Sequence, residues 1–278
     1  MTEYLNRFKI DGNVCIITGG GGLLGRKHAE AVLEGGGIPV LLDISSESLE
    51  RAKNELLLTY NNSQIETFTC DITSRYQLTQ IRDVLLEKYG HVDALINNAA
   101  NNPKMEVASK NMGAIQFNNF PLEIWNQDIA VGLTGALLCA QVFGEVMEKQ
   151  MSGVIINISS DYGLISPDQR VYRKDGLPEN QQIIKPISYS VVKHGIIGMT
   201  KYLATYWAKK GIRVNTLCPA SLENGQDEVF VEKLSNLIPM GRMSQPEEYV
   251  CTVLYMLSNA STYMTGATIV LDGGRTCW

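Results

Sequence analysis

Short apolar runs rich in Val and Ile alternate with longer amphipathic stretches along the chain. The runs are VCIIT at Val14, PVLLD at Pro39, IETFTCD at Ile65, ALINNA at Ala94, GVIINISS at Gly153, RVNTLCP at Arg213 and TIVLDGG at Thr268. Runs that are apolar throughout suit strands covered on both faces. Helices are predicted between them at about 24–35, 46–60, 74–89, 121–150, 188–210 and 245–258. The alternation predicts an α/β fold with a doubly wound parallel sheet of about seven strands and helices on both faces.

A single domain is expected for residues 1–278, because no internal repeat, low-complexity tract or linker separates two cores. The segment at about 165–186 breaks the rhythm, since it is polar, contains several Pro and Gly residues and shows no clean period. We predict a long insertion between the fifth strand and the next helix. Ligands of open α/β sheets bind at the carboxyl ends of strands, so we expect this insertion to contact substrate.

Composition and charge exclude several classes of protein. Hydrophobic residues at 45% and charged residues at 19% are typical of a globular protein, and a net charge of -5 offers no field for nucleic acid. We expect no signal peptide at MTEYLNRFKIDG and no membrane span, since no segment approaches about 18 apolar residues. The six cysteines form no CxxC pair and no cluster with His, which predicts a cytoplasmic protein without a metal site.

A glycine-rich turn, TGGGGLLG from Thr18 to Gly25, follows the first strand and opens into a helix. Glycines let backbone amides approach a pyrophosphate, which the helix N-terminus stabilises. We therefore expect a dinucleotide to contact Gly19, Gly22, Leu24 and Gly25. The alternative is a merely flexible turn, which the strand–turn–helix context disfavours.

Acidic residues end the second and third strands. Asp43 could accept hydrogen bonds from the adenosine ribose and would repel a 2′-phosphate. Neither Arg nor Lys lies in the glycine turn or directly after Asp43, so NAD(H) is favoured and NADP(H) stays possible. Asp71 and Ile72 could contact the adenine; alternatively Asp71 is a turn or helix-capping acid.

Tyr189 and Lys193 are four residues apart in YSVVK and project from one face of a predicted helix. A neighbouring ammonium favours the phenolate and lowers the pKa of a tyrosine below its free value of about 10. Tyr189 could then exchange a proton with a substrate oxygen. Taken alone, the pair is better interpreted as a surface contact.

The chain resembles the short-chain dehydrogenase/reductase family from Gly12 to Gly274. The motifs that carry the resemblance are the glycine turn, Asn97-Asn98-Ala99-Ala100, Ser160 in NISSDYG, Tyr189 to Lys193, RVNTLCP and LDGG. The resemblance implies a Rossmann fold in which Ser160 hydrogen-bonds the substrate oxygen, Tyr189 is the acid/base, and Lys193 binds the nicotinamide ribose and tunes Tyr189. It also implies that Asn98, Ala99 and Pro219 line the cofactor site, and that the protein is a homo-oligomer, a tetramer or a dimer.

Three departures from the family pattern are visible. Leu23 replaces the glycine that is usual at the sixth position of the turn. The turn must therefore approach the pyrophosphate with a side chain in the way, or adopt a shifted conformation. Gly132, in VGLTG, replaces the asparagine that is usually a fourth catalytic residue. Ala220 and Ser221 follow Pro219 where the family usually has glycine, which could alter the turn beside the carboxamide.

Within the family, the chain is similar to oxidoreductases of flagellin modification and nonulosonic-acid sugar clusters. We therefore predict hydride transfer to or from a polar alcohol or ketone, a sugar or sugar acid. The cations Arg170, Arg173, Lys174 and Lys185 in the insertion would suit an anionic sugar, or form a solvated surface with the acids there. The alternatives are a simple alcohol, polyol or 3-oxoacyl substrate, and a catalytically silent NAD-binding protein.

Overall fold

Seven parallel strands form the centre of the protein. The computed structural model describes residues 3–101 and 116–278. The strands are β1 (Val14–Thr18), β2 (Ile38–Asp43), β3 (Glu66–Thr69), β4 (Ala94–Asn97), β5 (Gly153–Ile158), β6 (Ile212–Pro219) and β7 (Thr268–Leu271). They pair in the order β3-β2-β1-β4-β5-β6-β7. The predicted doubly wound sheet is confirmed, and the order reverses between β1 and β4.

Helices connect these strands. They are α1 (Leu23–Glu34), α2 (Ser46–Thr59), α3 (Arg75–Tyr89), α4 (Leu122–Ile129), α5 (Ala136–Gln150), α6 (Ile187–Trp207), α7 (Glu228–Ser235) and α8 (Val250–Leu257). The helix predicted at 121–150 is divided into α4 and α5 by a π-helical turn, Ala130–Gly135. α7 was not predicted, because its eight residues are too few for a clear period. Its N-terminus is capped by the Asp227 side chain, which accepts from Phe230 N.

Two hydrophobic cores cover the two faces of the sheet. Along β1, Ile16 belongs to the core beneath α3, α5 and α6, and Ile17 belongs to the core beneath α1, α2 and α8. Neighbouring residues of a strand point to opposite faces, so a strand buried on both faces must be apolar at every position. This explains why the strands appear in the sequence as continuous apolar runs.

The stretch Leu122–Gln150 corrects the expectation that no segment could span a membrane. By length and composition alone it could, since it has 29 residues and a mean hydropathy of 1.7 in its most apolar window. Half of that window is buried inside the protein. α5 contributes Phe143 and Met147, both fully buried, to the core. A core helix gives the same apolar signal as a membrane span, and that is its role in this fold.

The π-helical turn packs directly on α6. A Cβ atom at Gly132 would lie 2.4 Å from Cγ1 of Val192, and Val192 is itself buried. The glycine is therefore required by its neighbour, because any side chain at position 132 must displace Val192.

We expect Gly132→Ala to lower the free energy of unfolding by about 1–3 kcal/mol, the usual cost of overpacking a core. Val192→Ala, combined with Gly132→Ala, should recover part of this loss because it vacates the same space. Urea unfolding of the wild type, both single variants and the double variant measures the coupling. Strictly additive effects would contradict the contact.

Candidate active site

The turn after β1 leaves no space for side chains. Gly19 has a φ of +65°, and a Cβ atom at Gly25 would lie 2.2 Å from the Gly19 carbonyl oxygen. α1 therefore begins directly against the turn, with Gly22 as its N-cap and no side chain capping it. Leu23 is the first residue of α1 and Leu24 packs on the core, so both are accommodated within the helix. The N–H groups of the first helical turn are left without a capping side chain, which suits an anion.

Thr18 ties the glycine turn to the end of β4. Its hydroxyl accepts hydrogen bonds from Asn98 N and Ala99 N, each at 3.0 Å, and donates to the Ile96 carbonyl. The Asn98 side chain donates to the Thr18 carbonyl at 2.9 Å. Asn98 and Ala99 thus lie beside the glycine turn, and the hydrogen bond of the Asn98 side chain stabilises the start of the turn.

His28, on α1, is fully buried, and burial lowers its pKa to about 4, although the nearby Asn98 side chain partly offsets this. Its imidazole is therefore neutral at neutral pH.

Asp43 lies where the sequence predicts, at the end of β2 and against the turn. Its carboxylate accepts from Gly21 N at 3.1 Å and from Ser45 N at 3.0 Å. The same group therefore shapes the turn and presents a negative charge beside it.

The remaining predicted cofactor residues have additional structural contacts. Asp71 accepts from the backbone and hydroxyl of Thr73, at 2.9 and 2.7 Å, which supports its alternative interpretation as a turn acid before α3. Ile72 is buried in the core, where a Cβ atom at Gly135 would lie 2.7 Å from its Cδ1. Pro219 ends β6, and the following amide, Ala220 N, donates to the Leu271 carbonyl at 3.1 Å.

These features fit a nicotinamide dinucleotide. The side-chain-free cradle at Gly19 and Gly25 and the open N-terminus of α1 would hold the pyrophosphate, and Asp43 would meet a ribose. All of them lie at the carboxyl edge of the sheet, on either side of its reversal point.

Ser160, Tyr189 and Lys193 meet at the same edge. After β5 the chain forms a 3₁₀ turn, Asp161–Gly163, that packs tightly on α6. A Cβ atom at Gly163 would lie 2.8 Å from the Lys193 carbonyl, which also accepts from the Ser159 hydroxyl at 2.7 Å. This contact places Ser160 close enough to the Tyr189 phenol to influence its pKa. The buried Lys193 ammonium donates to the Ile158 carbonyl at 3.0 Å and lies 5.7 Å from the Tyr189 ring centroid.

The expected lowering of the Tyr189 pKa by Lys193 is wrong for this structure. Burial raises the pKa of Tyr189 to about 12, which outweighs the opposite effect of the nearby Ser160 side chain. Burial also lowers the pKa of Lys193 to about 8, and the nearby positive charge of Lys185 adds to this effect. Desolvation dominates both groups because the helix face that carries them is turned into the protein.

The insertion 165–186 lies between β5 and α6, with short 3₁₀ turns at Gln169–Tyr172 and Glu179–Gln181. Buried Gln182 holds it together by accepting from Lys174 N and donating to two carbonyl oxygens, those of Lys174 and Leu177. Tyr172 packs on Phe230 of α7, with ring centroids 5.5 Å apart.

The insertion's cations differ in their surroundings. Arg170 pairs with Asp168 at 2.7 Å and Arg173 pairs with Glu179, which supports the solvated-surface alternative for both. Lys185 instead lies over the Tyr189 ring, with Nζ 3.8 Å from the centroid. Gln169 fixes its backbone by accepting from Lys185 N at 2.8 Å. The contact between Lys185 and the Tyr189 ring was not predicted from the sequence. The only signal for it is that Lys185 precedes Tyr189 by four residues. Pro186 separates Lys185 from the helix, so helical spacing could not be applied.

Comparison with known proteins places these features in context. The family model described as short chain dehydrogenase matches residues 13–172, and that described as Enoyl-(Acyl carrier protein) reductase matches residues 178–276. The 3-oxoacyl-(acyl-carrier-protein) reductase of Thermotoga maritima is 30% identical, covering 96% of this chain and 98% of its own. Galactitol 2-dehydrogenase of Rhizobium johnstonii is 30% identical, covering 99% and 100%. Post-translational flagellin modification protein A of Campylobacter coli is 29% identical, covering 95% and 98%.

Solved structures with either cofactor are similar to this fold. A short chain dehydrogenase from Leptospira borgpetersenii with bound NAD+ has a TM-score of 0.83 and 28% identity, covering 99% of this chain and 97% of its own. A gluconate 5-dehydrogenase from Burkholderia cenocepacia in complex with NADP and tartrate has a TM-score of 0.81 and 25% identity, covering 99% of both chains.

Proposed function

Because the chain belongs to the short-chain dehydrogenase family, whose members are oxidoreductases, we propose that it moves a hydride between NAD(H) and a hydroxyl or keto group of a sugar or related polyhydroxylated compound. The observation that carries this proposal is the meeting of Ser160, Tyr189 and Lys193 beside a glycine cradle at one edge of the sheet.

Each residue of the centre has a distinct task in this reaction. The cofactor supplies or accepts the hydride. Tyr189 gives a proton to the substrate oxygen during reduction and removes it during oxidation, which requires direct contact between the phenol and that oxygen. Ser160 holds the oxygen in position, and Lys193 binds the nicotinamide ribose.

A polyhydroxylated substrate is supported by the polar insertion and by the likeness to galactitol 2-dehydrogenase. The flagellin modification relative supports a sugar or sugar acid. Lys185, already beside Tyr189, is the insertion cation best placed to meet a substrate carboxylate or phosphate. The second candidate is a 3-oxoacyl substrate, which the likeness to the reductase of Thermotoga maritima favours. A panel of sugars, sugar acids, polyols and 3-oxoacyl thioesters, followed by NADH absorbance, tests both; inactivity on every compound would favour a catalytically silent protein.

NAD(H) should bind more tightly than NADP(H), because the Asp43 carboxylate would repel a 2′-phosphate. Asp43→Asn should narrow the difference by removing the charge while keeping an oxygen that can accept from Gly21 N. Asp43→Ala should narrow it too, but weaken both cofactors because the turn loses its support. Fluorescence titration of the wild type and of both variants with NADH and NADPH measures the six affinities. Tighter binding of NADPH by the wild type would contradict the role given to Asp43.

Tyr189→Phe should reduce turnover by about 10²–10⁴-fold, the usual contribution of a general acid–base group, and leave cofactor binding intact. Lys193→Ala should weaken both turnover and cofactor binding. The matched control is Tyr162→Phe, which also removes one phenolic hydroxyl. The Tyr162 ring packs edge-on against Tyr189, with ring centroids 6.3 Å apart, so the control changes the same region of the protein. If Tyr189→Phe kept more than about a tenth of native activity, the loss would be smaller than a general acid–base group usually causes. Another group would then have to carry the proton.

We also propose that the protein forms a homo-oligomer through α5 and α6. Several apolar residues of these helices that could have served an interface are instead buried in the protomer's own core: Val142, Phe143, Ile196, Leu203 and Trp207. Exposed side chains remain on the same helices, with Leu137 at 40%, Tyr202 at 67% and Tyr206 at 61%. The rings of Tyr202 and Tyr206 stack on one another, which presents a flat apolar surface. A second copy of this chain would cover it.

Light scattering at micromolar concentration should give a mass of a dimer or tetramer of the 30.7 kDa chain. Tyr206→Glu should shift the mass towards the monomer by placing a charge in the interface. Leu58→Glu, at a site 86% exposed on α2, is the control and should leave the mass unchanged. A wild-type mass near 30.7 kDa would contradict the proposal.

A reducing, cytoplasmic compartment is proposed from the thiols. All six cysteines are free. Burial raises the pKa of Cys15 and Cys139 far above the usual range, which keeps both thiols protonated and inert.

A further inference from the structure

A buried carboxylate joins the helix that carries Tyr189 to the segment that follows β4. Asp128, in the last turn of α4, accepts from the Ser188 hydroxyl at Oδ2 and from the Asn101 side-chain amide at Oδ1, the latter at 2.8 Å. Asp128 is only 8% exposed and Ser188 is fully buried. Ser188 directly precedes Tyr189 in the first turn of α6, and Asn101 lies three residues after Asn98, beside the glycine turn. One side chain therefore connects the chemical centre with the cofactor side of the site.

A second contact joins α6 to the same helical segment, four residues further along both of them. It is the close approach of Gly132 to Val192, where a Cβ atom on the glycine would lie 2.4 Å from Cγ1 of the valine. Val192 directly precedes Lys193, just as the polar partner on α6 directly precedes Tyr189. The position of α6 along α4 and the π-helical turn is therefore set by a polar contact beside Tyr189 and an apolar contact beside Lys193.

The polar contact holds the end of α6 that has no other cap. α6 begins after Pro186, and no side chain at that N-cap position binds the first helical turn. A hydrogen bond to a carboxylate is stronger and more directional than apolar packing, and burial strengthens it further. Negative charge is also favoured near the N-terminus of a helix. The bond between Asp128 and Ser188 thus fixes the turn in which Tyr189 lies.

We propose that Asp128 is a positioning residue that fixes Tyr189 for proton transfer, through its hydrogen bonds with Ser188 and Asn101. The inference rests on the proposed function. The role of Asp128 is geometric, since it carries no proton in the reaction. It holds the phenol in line with a substrate oxygen and with the cofactor side of the site, which proton transfer requires.

The kinetic test removes the hydroxyl that Asp128 binds. Ser188→Ala should lower kcat by about 10-fold to 100-fold, up to the loss that a misplacement of about 1 Å causes, with little change in KM or in the affinity for NADH. Thr200→Val is the matched control, because it removes another buried hydroxyl from α6, one that accepts from Asn157 and Thr216. It should destabilise the fold but keep native kcat. Native kcat in Ser188→Ala, or an equal loss in Thr200→Val, overturns the inference.

The conservative variant of Asp128 shows whether its hydrogen bonds do the positioning. Asp128→Asn keeps an oxygen that can accept from Asn101 and gains an amide that can donate to the Ser188 oxygen. Asp128→Ala keeps neither bond. We expect Asp128→Ala to match the loss of kcat in Ser188→Ala and Asp128→Asn to recover most of it. Equal losses in the two Asp128 variants overturn the inference.

A measurement without substrate separates the contact from the reaction. Urea unfolding of Asp128→Ala, Ser188→Ala and the double variant should give a loss of stability smaller than the sum of the single losses, because both remove the same bond. Strictly additive losses overturn the inference. A wild type inactive on the whole substrate panel overturns the proposed function and this inference with it, whereas an active wild type matched by Ser188→Ala overturns this inference alone.

Discussion

The reversal of strand order between β1 and β4 is the constraint on which the rest of the structure depends. The connections leaving these two strands pass to opposite faces of the sheet, which opens a crevice at their carboxyl ends. One hydroxyl holds the crevice in shape, because Thr18 accepts from Asn98 N and Ala99 N and donates to the Ile96 carbonyl. These hydrogen bonds fix the distance between the ends of β1 and β4. The glycine turn follows β1, and the residues of the chemical centre lie at the same edge of the sheet.

Close backbone approach transmits this geometry to Tyr189. Gly25 sits on the Gly19 carbonyl, and Gly163 sits between Ser159 and the Lys193 carbonyl. The first contact fixes α1 against the turn after β1, and the second fixes α6 against the turn after β5. No side chain lies between the helix and the turn in either contact, so neither helix can slide along its turn. α6 is consequently held with its Tyr189 face towards Ser160, and the insertion closes over that face through Lys185. The polar centre is desolvated as a result. Desolvation favours the neutral form of each group, so the pKa of Tyr189 is raised and the pKa values of Lys193 and Lys185 are lowered.

The sequence was sufficient to predict what depends on local pattern. Strands such as β1 and β5 are buried on both faces and so are apolar at every position, and the glycine turn is defined by backbone space that only glycine leaves. Predictions failed where the deciding contact comes from a distant segment. Gly132, in the π-helical turn, packs on Val192, sixty residues later in the chain, and nothing within VGLTG signals this contact. The direction of the Tyr189 pKa shift failed for a related reason, because spacing identifies a neighbouring ammonium but not the amount of water that packing removes.

The charges around Tyr189 are arranged unevenly, and this has a chemical consequence. Lys185 and Lys193 both lie on the tyrosine ring, and the carboxylate of Asp161 lies one hydroxyl away. Two ammonium groups favour a negative charge on the phenol oxygen, whereas a nearby carboxylate opposes it for as long as the carboxylate is ionised. Burial adds to the opposition of the carboxylate, because loss of solvation is the largest cause that raises the pKa of the phenol to about 12. Any step that forms the phenolate must therefore offset the free energy of placing a negative charge in this desolvated centre.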